Sequence, residues 1–138
     1  MSQTLLIFCF FALFQITLKT PDDFKWKNRL IIVRDVKVSI DSLLLENKKA
    51  ITDRKLIIIS FENDKLECNS SNFSIDPEKF IQLFKSQDLS TKWLLLGLDG
   101  GIKKIGTEDD FQIDKFFETI DQMPMRESEL RLKNRLFQ

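Results

Sequence analysis

The stretch RLIIVRDVKVSIDSLLLENKKAITDRKLIIISF, residues 29–61, decides the fold of this chain. Its two ends, RLIIV at 29–33 and KLIIISF at 55–61, are short apolar, β-branched runs of the kind that form buried strands. A helix fits between them, with Ser39 as its cap and apolar residues at helical spacing: Ile40, Leu43, Leu44 and Ile51. Strand, helix and strand in this order predict a βαβ unit, whose crossover makes the two strands parallel.

A helix and a hairpin of two strands are predicted after a polar stretch at 62–74. A helix opens with Asp76 as its cap and Pro77 at its first helical position. The segment KWLLLGLDGGIKKIG, residues 92–106, then contains two apolar runs around Asp99 and Gly100. Because Asp-Gly between apolar runs is the strongest short hairpin signal, we predict two antiparallel strands here.

The last periodic stretch predicts a helix that begins at a capping box formed by Thr107 and Asp110. Its apolar face recurs at helical spacing: Ile113, Phe116, Phe117 and Ile120. Met123 precedes Pro124 and is biased away from helical conformation, so the helix is expected to end or kink there. The amphiphilic remainder is consistent with a short terminal helix.

The element order β-α-β-α-β-β-α predicts an α/β fold of the thioredoxin-like kind. We expect a four-stranded mixed sheet with strand order 2-1-3-4 and flanking helices. A ferredoxin-like sandwich is the alternative, although it needs a different order of helices and strands. We assign residues 29–138 to this domain and the polar residues 21–28 to a linker.

The first twenty residues, MSQTLLIFCFFALFQITLKT, contain an unbroken apolar run at 5–14. The run has the length of a signal-peptide core and is shorter than the roughly 20 residues that span a bilayer. We therefore expect a signal peptide over residues 1–20 and a secreted or periplasmic protein. The second interpretation of this segment is an uncleaved membrane anchor, and the third is a buried strand. Cleavage would remove Cys9 and leave Cys68 without a partner cysteine.

Composition excludes several kinds of chemistry. The chain has no histidine, which excludes Ser-His-Asp and Cys-His nucleophiles and imidazole metal ligands. Cys9 and Cys68 are not spaced as a metal-binding pair, and we predict neither a metal nor another cofactor. The 21 basic and 21 acidic residues cancel, so binding to nucleic acid is not expected. Asn69 and Asn72 match the N-glycosylation pattern, which an exposed loop rich in Ser and Asn also explains.

Three stretches resemble the DUF4174 family: WKNRLIIV at 26–33, LGLDGGIKK at 96–104 and FFETIDQMPMRESELR at 116–131. The residues that carry the resemblance are Asp99, Gly100, Gly101, Asp121, Met123, Pro124, Met125, Arg126, Glu129 and Arg131. The family includes small secreted bacterial proteins and domains of vertebrate matrix proteins such as the sushi-repeat-containing proteins and equarin. The resemblance implies a thioredoxin-like domain without an established activity.

A thioredoxin-like fold raises the question of thiol chemistry. Redox-active members place a cysteine just after the first strand and a proline just before the third. The corresponding stretches here, 34–42 and 89–93, contain neither residue. Cys68 is the one remaining catalytic candidate, and its neighbour Glu67 disfavours a thiolate. We therefore predict a non-redox binding or structural module with a protein or glycan partner. The alternative is a thiol-dependent oxidoreductase or peroxidase that uses Cys68.

The basic residues near the C-terminus have two readings. Arg126, Arg131, Lys133 and Arg135 follow an acidic helix and are suited to bind a carboxylate, a glycan sulfate or an acidic partner. The favoured interpretation is that Arg126 or Arg131 pairs with a nearby acidic residue and attaches the C-terminal segment to the domain. The acidic candidates are Asp121, Glu118 and Glu129.

Overall fold

The computed structural model of the protein describes residues 16–138, so the apolar run at 5–14 and most of the signal peptide expected over residues 1–20 lie outside this range. The regular elements within this range are β1 Arg29–Arg34, α1 Ile40–Glu46, α2 Lys48–Asp53, β2 Leu56–Glu62, β3 Lys65–Asn69, α3 Pro77–Ile81, β4 Trp93–Leu96, β5 Ile102–Gly106, α4 Ile113–Asp121 and α5 Pro124–Leu136. Short 3-10 turns are formed by Pro21–Phe24, Gln82–Phe84 and Glu108–Asp110.

The strands form one mixed sheet with the order β3-β2-β1-β4-β5. β1 and β2 are parallel, with Ile31 opposite Ile58, and the connection between them runs through α1 and α2. β4 lies antiparallel to β1, and β5 lies antiparallel to β4. The α/β class, the parallel crossover and the antiparallel hairpin are thus confirmed. The four predicted strands also lie in the predicted relative order.

The prediction of a four-stranded sheet is wrong, because β3 adds a fifth strand at the edge beside β2. Asn63 and Asp64 both have left-handed backbone conformations, with φ of 49° and 60°. Such a two-residue turn matches the twist of a hairpin and brings Lys65 opposite Glu62. β3 begins with three exposed residues, so it shows no apolar pattern. For that reason the sequence 62–74 looks like a polar loop.

Two helix boundaries differ from the expected ones, and a third agrees with the prediction. The helix expected from Ser39 through Ile51 is divided at Asn47 into α1 and α2. Ser39 does cap α1, because its side chain accepts a hydrogen bond from the Ser42 N–H at 3.4 Å. The Thr107 capping box closes the 3-10 turn Glu108–Asp110, and α4 begins only at Ile113. The break at Pro124 is confirmed, because α4 ends at Asp121 and α5 starts at the proline.

The sheet separates two apolar layers, because successive strand residues point to opposite faces. One layer contains α3 and the N-terminal 3-10 turn; its members are Phe24, Leu30, Ile32, Ile57, Ile59, Phe61, Ile75, Phe80, Phe84, Leu94 and Leu96. The other contains α1, α2 and α4; its members are Ile31, Val33, Ile40, Ile51, Leu56, Ile58, Trp93, Leu95, Phe111, Phe116 and Ile120. Both faces of the central strands are therefore covered by helices.

Trp93 is the largest side chain in the second layer. Its ring meets Phe116 edge to face at a centroid distance of 4.6 Å, and its Nε1 donates a hydrogen bond to the Thr107 carbonyl at 2.9 Å. Gly106 lies opposite Trp93 on β5. A Cβ at Gly106 would overlap the indole ring, so only glycine fits at this position.

The segment that precedes β1 is packed against the domain. Phe24, inside the stretch expected to be a linker, is buried and meets Phe80 edge to face at 6.2 Å. Lys19 forms a parallel bridge with Ile75: its N–H donates to the Ser74 carbonyl, and its carbonyl accepts from the Asp76 N–H, both at 2.9 Å. Residues 19–24 thus contribute contacts to the same core as the strands.

Candidate functional site

Arg126, in the first turn of α5, is the centre of a charged cluster at one end of the sheet. It is 3% exposed, and all three of its guanidinium nitrogens are hydrogen-bonded. Nη2 donates to Asp53 Oδ2 at 2.7 Å, Nη1 to the Asp53 carbonyl at 3.0 Å, and Nε to Asp121 Oδ1 at 3.2 Å. Glu129, one turn along α5, accepts a further bond from Nη1 at 3.3 Å. The expected pairing of Arg126 with Asp121 and Glu129 is confirmed.

Arg54 binds Asp121 through one edge of its guanidinium. Nε donates to Oδ1 at 3.0 Å and Nη2 donates to Oδ2 at 2.7 Å, which is a bidentate pair. The remaining Nη1 donates to the Ala50 carbonyl at 3.0 Å, and the guanidinium stacks over Phe117 at 4.5 Å from the ring centroid. Asp121 therefore joins α4 both to the end of α2 and to α5.

Arg29, the first residue of β1, is fully buried beside this cluster. Its Nη1 donates to the Arg54 carbonyl at 3.0 Å and to the two Glu129 carboxylate oxygens at 3.3 and 3.4 Å. Its Nε and Nη2 are buried too, and they have no hydrogen-bond partner within residues 16–138. A buried donor without an acceptor is costly, so this half of the guanidinium is the least satisfied polar group of the cluster.

We call these linked groups the Arg126 cluster; its members are Arg29, Asp53, Arg54, Lys55, Asp121, Arg126, Glu129 and Lys133. Five are basic and three are acidic, so the cluster has two more positive charges than negative ones. Hydrogen bonds from Lys133 and Arg126 lower the pKa of Asp53 to about 2, against the opposing effect of burial. For Asp121, burial is the largest single effect and raises the pKa, but Arg54 and Arg126 together outweigh it and lower the value.

The two arginines at the centre of the cluster respond differently to burial. Burial, the largest effect, lowers the pKa of Arg29, and the attraction of Glu129 does not fully offset it. For Arg126, burial also acts to lower the pKa, yet Asp53, Asp121 and Glu129 raise it overall. The cost of burying the positive charge of Arg126 is thus offset by nearby carboxylates, whereas the corresponding cost for Arg29 is not.

The Asp99-Gly100-Gly101 stretch forms the turn between β4 and β5, as predicted, but in a longer loop. β4 ends at Leu96, and the loop closes with the Gly97 N–H donating to the Gly101 carbonyl at 3.0 Å. Gly100 has φ of +79°, a conformation that glycine adopts without strain. Asp99 accepts bonds from the Gly101 N–H at 3.0 Å and from Lys103 Nζ at 2.7 Å. The hydrogen bond from Lys103 is the main cause of a lowered Asp99 pKa.

Arg131 does not join the cluster. Its closest acidic group is Glu127, one turn back on α5, at 3.9 Å, and both side chains are more than half exposed. Met123, Pro124 and Met125 form the start of α5, and Met125 is exposed. Of the residues that carry the resemblance to the DUF4174 family, Asp121, Arg126 and Glu129 therefore bind one another. Met125 and Arg131, in contrast, are exposed and lie outside this cluster.

Cys68 lies in β3 and is the free cysteine of residues 16–138. The chain fold brings it to the first turn of α1, where its Sγ donates to Asp41 Oδ1 at 3.6 Å. Burial, followed by the hydrogen bond and charge of Asp41 and the charge of Glu67, raises the thiol pKa to about 11. The thiol is therefore protonated at neutral pH, which is the opposite of an activated nucleophile.

The two candidate glycosylation sites differ in their surroundings. Asn69 is half-buried: its Nδ2 donates to the Phe73 carbonyl at 2.7 Å, and its Oδ1 accepts from the Ser71 N–H at 2.9 Å. A sugar on Nδ2 would interfere with this local turn. Asn72 is exposed in the following loop, so its side chain is open to modification.

Sequence reasoning missed Arg29, Asp53 and Arg54 as members of the site. Arg29 did leave a signal, because a charged residue heads an otherwise apolar buried strand. Asp53 and Arg54 left none, since they look like ordinary polar residues at the end of a helix. Residues 16–138 contain no helix long and apolar enough to cross a membrane. That part of the chain also has no group of three acidic or cysteine residues arranged to hold a metal ion.

Comparison with known proteins identifies the family but no characterised relative. The family model of a domain of unknown function, DUF4174, matches residues 20–129, which includes the whole sheet and the Arg126–Glu129 turn. No curated protein matches the chain, and no solved structure does. Because the matched segment covers most of the chain, the chain belongs to the DUF4174 family.

Proposed function

We propose that this chain is a small secreted or periplasmic domain of thioredoxin-like architecture that works as a non-redox binding or structural module. The architectural part is supported by the arrangement of β2, β1, β4 and β5, in which β1 and β2 are parallel. It is also supported by the helices, since α1, α2 and α4 cover one face and α3 covers the other. β3 is then an addition at the edge beside β2.

The observation that carries the non-redox proposal is the environment of Cys68. A pKa of about 11 leaves only a very small thiolate fraction at neutral pH, and the thiolate is the reactive form. Residues 35–39, between β1 and α1, contain no cysteine, although this is where a redox-active thioredoxin-like protein carries one. The buried ionic groups of the Arg126 cluster, in contrast, suit a rigid module that binds rather than reacts.

A thiol-dependent function is the second candidate, and one observation favours it. Cys68, distant in sequence from the end of β1, lies beside the first turn of α1 in space. In this position a substrate disulfide or peroxide would approach the same end of the sheet as in redox-active thioredoxin-like proteins. The carboxylates of Asp41 and Glu67 oppose this function, because both disfavour the thiolate.

Thiol labelling and turnover assays separate the two candidates. We expect the folded protein to react slowly with a thiol reagent at pH 7.5, and to consume neither hydrogen peroxide nor a disulfide substrate above background. The matched control is Cys68→Ser, which should be indistinguishable in turnover. Turnover by the wild-type chain that disappears in Cys68→Ser would overturn the non-redox proposal.

The localisation part needs its own experiment. N-terminal sequencing of the exported protein should give a start near residue 20 if a signal peptide is removed. A start at Met1 in the membrane fraction would instead support the anchored alternative. A pull-down from the native extracellular fraction then tests for a protein or glycan partner, with Arg131→Met as the comparison, because Arg131 is an exposed basic residue of α5.

A further inference from the structure

Trp26 combines an exposed side chain with a constrained backbone. It is 66% exposed, and its φ of 65° lies in the left-handed region, where a bulky side chain is strained. The turn is fixed by hydrogen bonds, because the Trp26 N–H donates to the Leu98 carbonyl at 2.6 Å and the Lys27 N–H donates to the Phe24 carbonyl at 3.0 Å. Packing in the core does not explain a tryptophan at this position. Strained residues are concentrated at sites of binding and catalysis.

Exposed apolar side chains continue from Trp26 along α5. Leu98, whose carbonyl accepts the hydrogen bond from Trp26, lines the same cavity as Met125, which places the turn at Trp26 close to the start of α5. Met125, Leu132 and Leu136 follow one another at intervals of seven and four residues, so they share one side of the helix. All three are exposed. We call these apolar residues and their basic neighbours the Trp26 face; its members are Trp26, Lys27, Met125, Leu132, Arg135 and Leu136.

The charges of the chain are separated along the sheet, although the whole chain has a net charge of zero. Four segments meet at the end where β1 begins, through the Arg126 cluster and the hydrogen bond between Trp26 and Leu98: 21–29, 53–55, 99–103 and 121–137. These segments contain 10 basic and 7 acidic residues, which is an excess of three positive charges. The remainder of the chain therefore has an excess of three negative charges.

The opposite end of the sheet, where β1 finishes, is acidic. Asp35 accepts a hydrogen bond from the Asn63 N–H at 2.8 Å, and Glu108 accepts one from the Lys37 N–H at 2.9 Å. β2 ends with Glu62 at this same end, since β1 and β2 are parallel. An anionic surface therefore attracts the end that carries the Trp26 face and repels the other end. The separation of charge orients the domain even without a net charge.

The composition of the Trp26 face fits a lipid bilayer better than a protein partner. Protein interfaces bury contiguous apolar area and are depleted in lysine. Here single apolar side chains alternate with basic ones, as KWK at 25–27 and RLKNRLF at 131–137 show. At a bilayer surface, tryptophan prefers the headgroup region, and lysine and arginine keep their charges in water while their stems cover apolar surface. Leucine side chains contact the acyl chains just below.

From this arrangement we propose that the Trp26 face binds the surface of an anionic phospholipid bilayer. Trp26 and Leu136 enter the headgroup region, and Lys27 and Arg135 lie beside the lipid phosphates. The contact is peripheral, since only side chains enter the bilayer. The inference rests on the proposed binding function and names a partner for it.

Co-sedimentation of the full chain with lipid vesicles provides a direct test. Vesicles of equal parts phosphatidylcholine and phosphatidylglycerol should bind the protein at least ~tenfold more strongly than vesicles of phosphatidylcholine alone, and high salt should reduce this difference. Tryptophan emission should shift to the blue with the anionic vesicles, because Trp26 leaves water while Trp93 is already buried. Residues 1–15 contain no charged side chain and are the same in every variant, so they do not cause differences between variants.

Replacing Trp26 separates binding from stability. Asparagine tolerates the left-handed conformation, so Trp26→Asn should unfold at a urea concentration no lower than that of the wild type. Its affinity for the anionic vesicles should nevertheless fall at least ~fivefold, and the blue shift should disappear.

Two double variants with equal changes in charge locate the contact. Lys27→Glu with Arg135→Glu should lower the affinity for the anionic vesicles at least ~tenfold, because it removes the excess of positive charge from this end. Lys37→Glu with Lys65→Glu is the control, since both lysines are exposed near the end where β1 finishes. Salt screens charges at that distance, so the control should stay within ~twofold of the wild type.

The outcomes separate this inference from the proposed function. Binding to anionic vesicles that falls in Trp26→Asn and in Lys27→Glu with Arg135→Glu, but not in the control, supports the inference. It is overturned if neutral and anionic vesicles bind equally, if the two double variants lose equal affinity, or if Trp26→Asn binds like the wild type. A dimer that forms without vesicles and disappears in Trp26→Asn, without any vesicle binding, would assign the face to a second copy instead. None of these results bears on thiol turnover, so the non-redox proposal stands or falls separately.

Discussion

Arg126 donates two hydrogen bonds to Asp53: Nη2 donates to the carboxylate at 2.7 Å, and Nη1 donates to the backbone carbonyl at 3.0 Å. The two residues are 73 positions apart, and their contact joins the start of α5 to the end of α2. Farther along α5, Leu130 is half-buried, but Leu132 and Leu136 are exposed and do not pack on the domain. The C-terminal helix is thus attached mainly by buried ionic hydrogen bonds.

Loss of the Arg126 guanidinium should therefore destabilise the domain strongly. We expect Arg126→Met to lower the free energy of unfolding by about 3 kcal/mol, because Asp53, Asp121 and Glu129 lose their common partner. Arg131→Met is the control, and it should cost no more than about 0.5 kcal/mol, since the ion pair that Arg131 forms with Glu127 is exposed. Urea unfolding of both variants measures the difference, and equal losses would contradict this account.

The stability of the domain should fall in acid because of Asp53. Its folded-state pKa of about 2 lies below the ordinary 3.8, so the unfolded chain takes up this proton first as the pH falls. The stabilisation is complete above about pH 4 and is lost between about pH 4 and pH 2, and Asp121 acts in the same direction. After allowance for solvent screening, we expect Asp53 to contribute about 1–2 kcal/mol.

Urea unfolding of wild type and Asp53→Asn at a series of pH values checks this prediction. The difference in unfolding free energy between the two proteins should be constant from pH 7 to pH 5 and should shrink toward pH 2. A difference that is independent of pH over the whole range would mean that Asp53 acts through packing rather than through its charge.

Asp41 should control the reactivity of the Cys68 thiol. Replacing Asp41 with Asn removes a carboxylate that raises the thiol pKa, whereas burial, the larger cause, remains. Alkylation by iodoacetamide at pH 8 should therefore become severalfold faster without reaching the rate of the unfolded chain. Asp114→Asn, an exposed change on α4, should leave the rate unaltered. Equal rates in wild type and Asp41→Asn would show that the Asp41 carboxylate does not protect the thiol.

Gly106→Ala should disturb the packing of Trp93. The added Cβ overlaps the buried indole, so we expect a loss of about 1–3 kcal/mol in unfolding free energy. Gly101→Ala is the matched control, because its Cβ meets no atom closer than 3.4 Å. In a Trp26→Phe background only Trp93 fluoresces, and its emission should shift to the red in Gly106→Ala alone. An unshifted emission in both glycine variants would contradict the assigned packing.

The sequence predicted β1, β2 and β4 because these strands are covered on both faces and therefore consist almost entirely of apolar residues. β3 has no such pattern, since its first three residues face solvent at the edge of the sheet. The available signal was the Asn63-Asp64 pair, because both residue types tolerate the left-handed conformations of a two-residue turn. A turn signal without an apolar strand beyond it is easily taken for a loop.

The site was predictable only where its contacts are local in sequence. Arg126 lies five residues from Asp121 and three from Glu129, so spacing alone suggested those pairs. Asp53 and Arg54 reach the same cluster across more than sixty residues, through the packing of α2 against the C-terminal helices. No local pattern encodes such a meeting, since it depends on the complete fold.

The pairing of Arg29 with Glu129 also bears on how the chain is made. The two residues are 100 positions apart, and Glu129 is the last residue of the matched family segment. A ribosome delivers β1 first, so the guanidinium at its head has no counter-ion while the sheet begins to form. Glu129 becomes available to Arg29 only after α5 has been synthesised, so the docking of α5 is a late step in the folding of this domain.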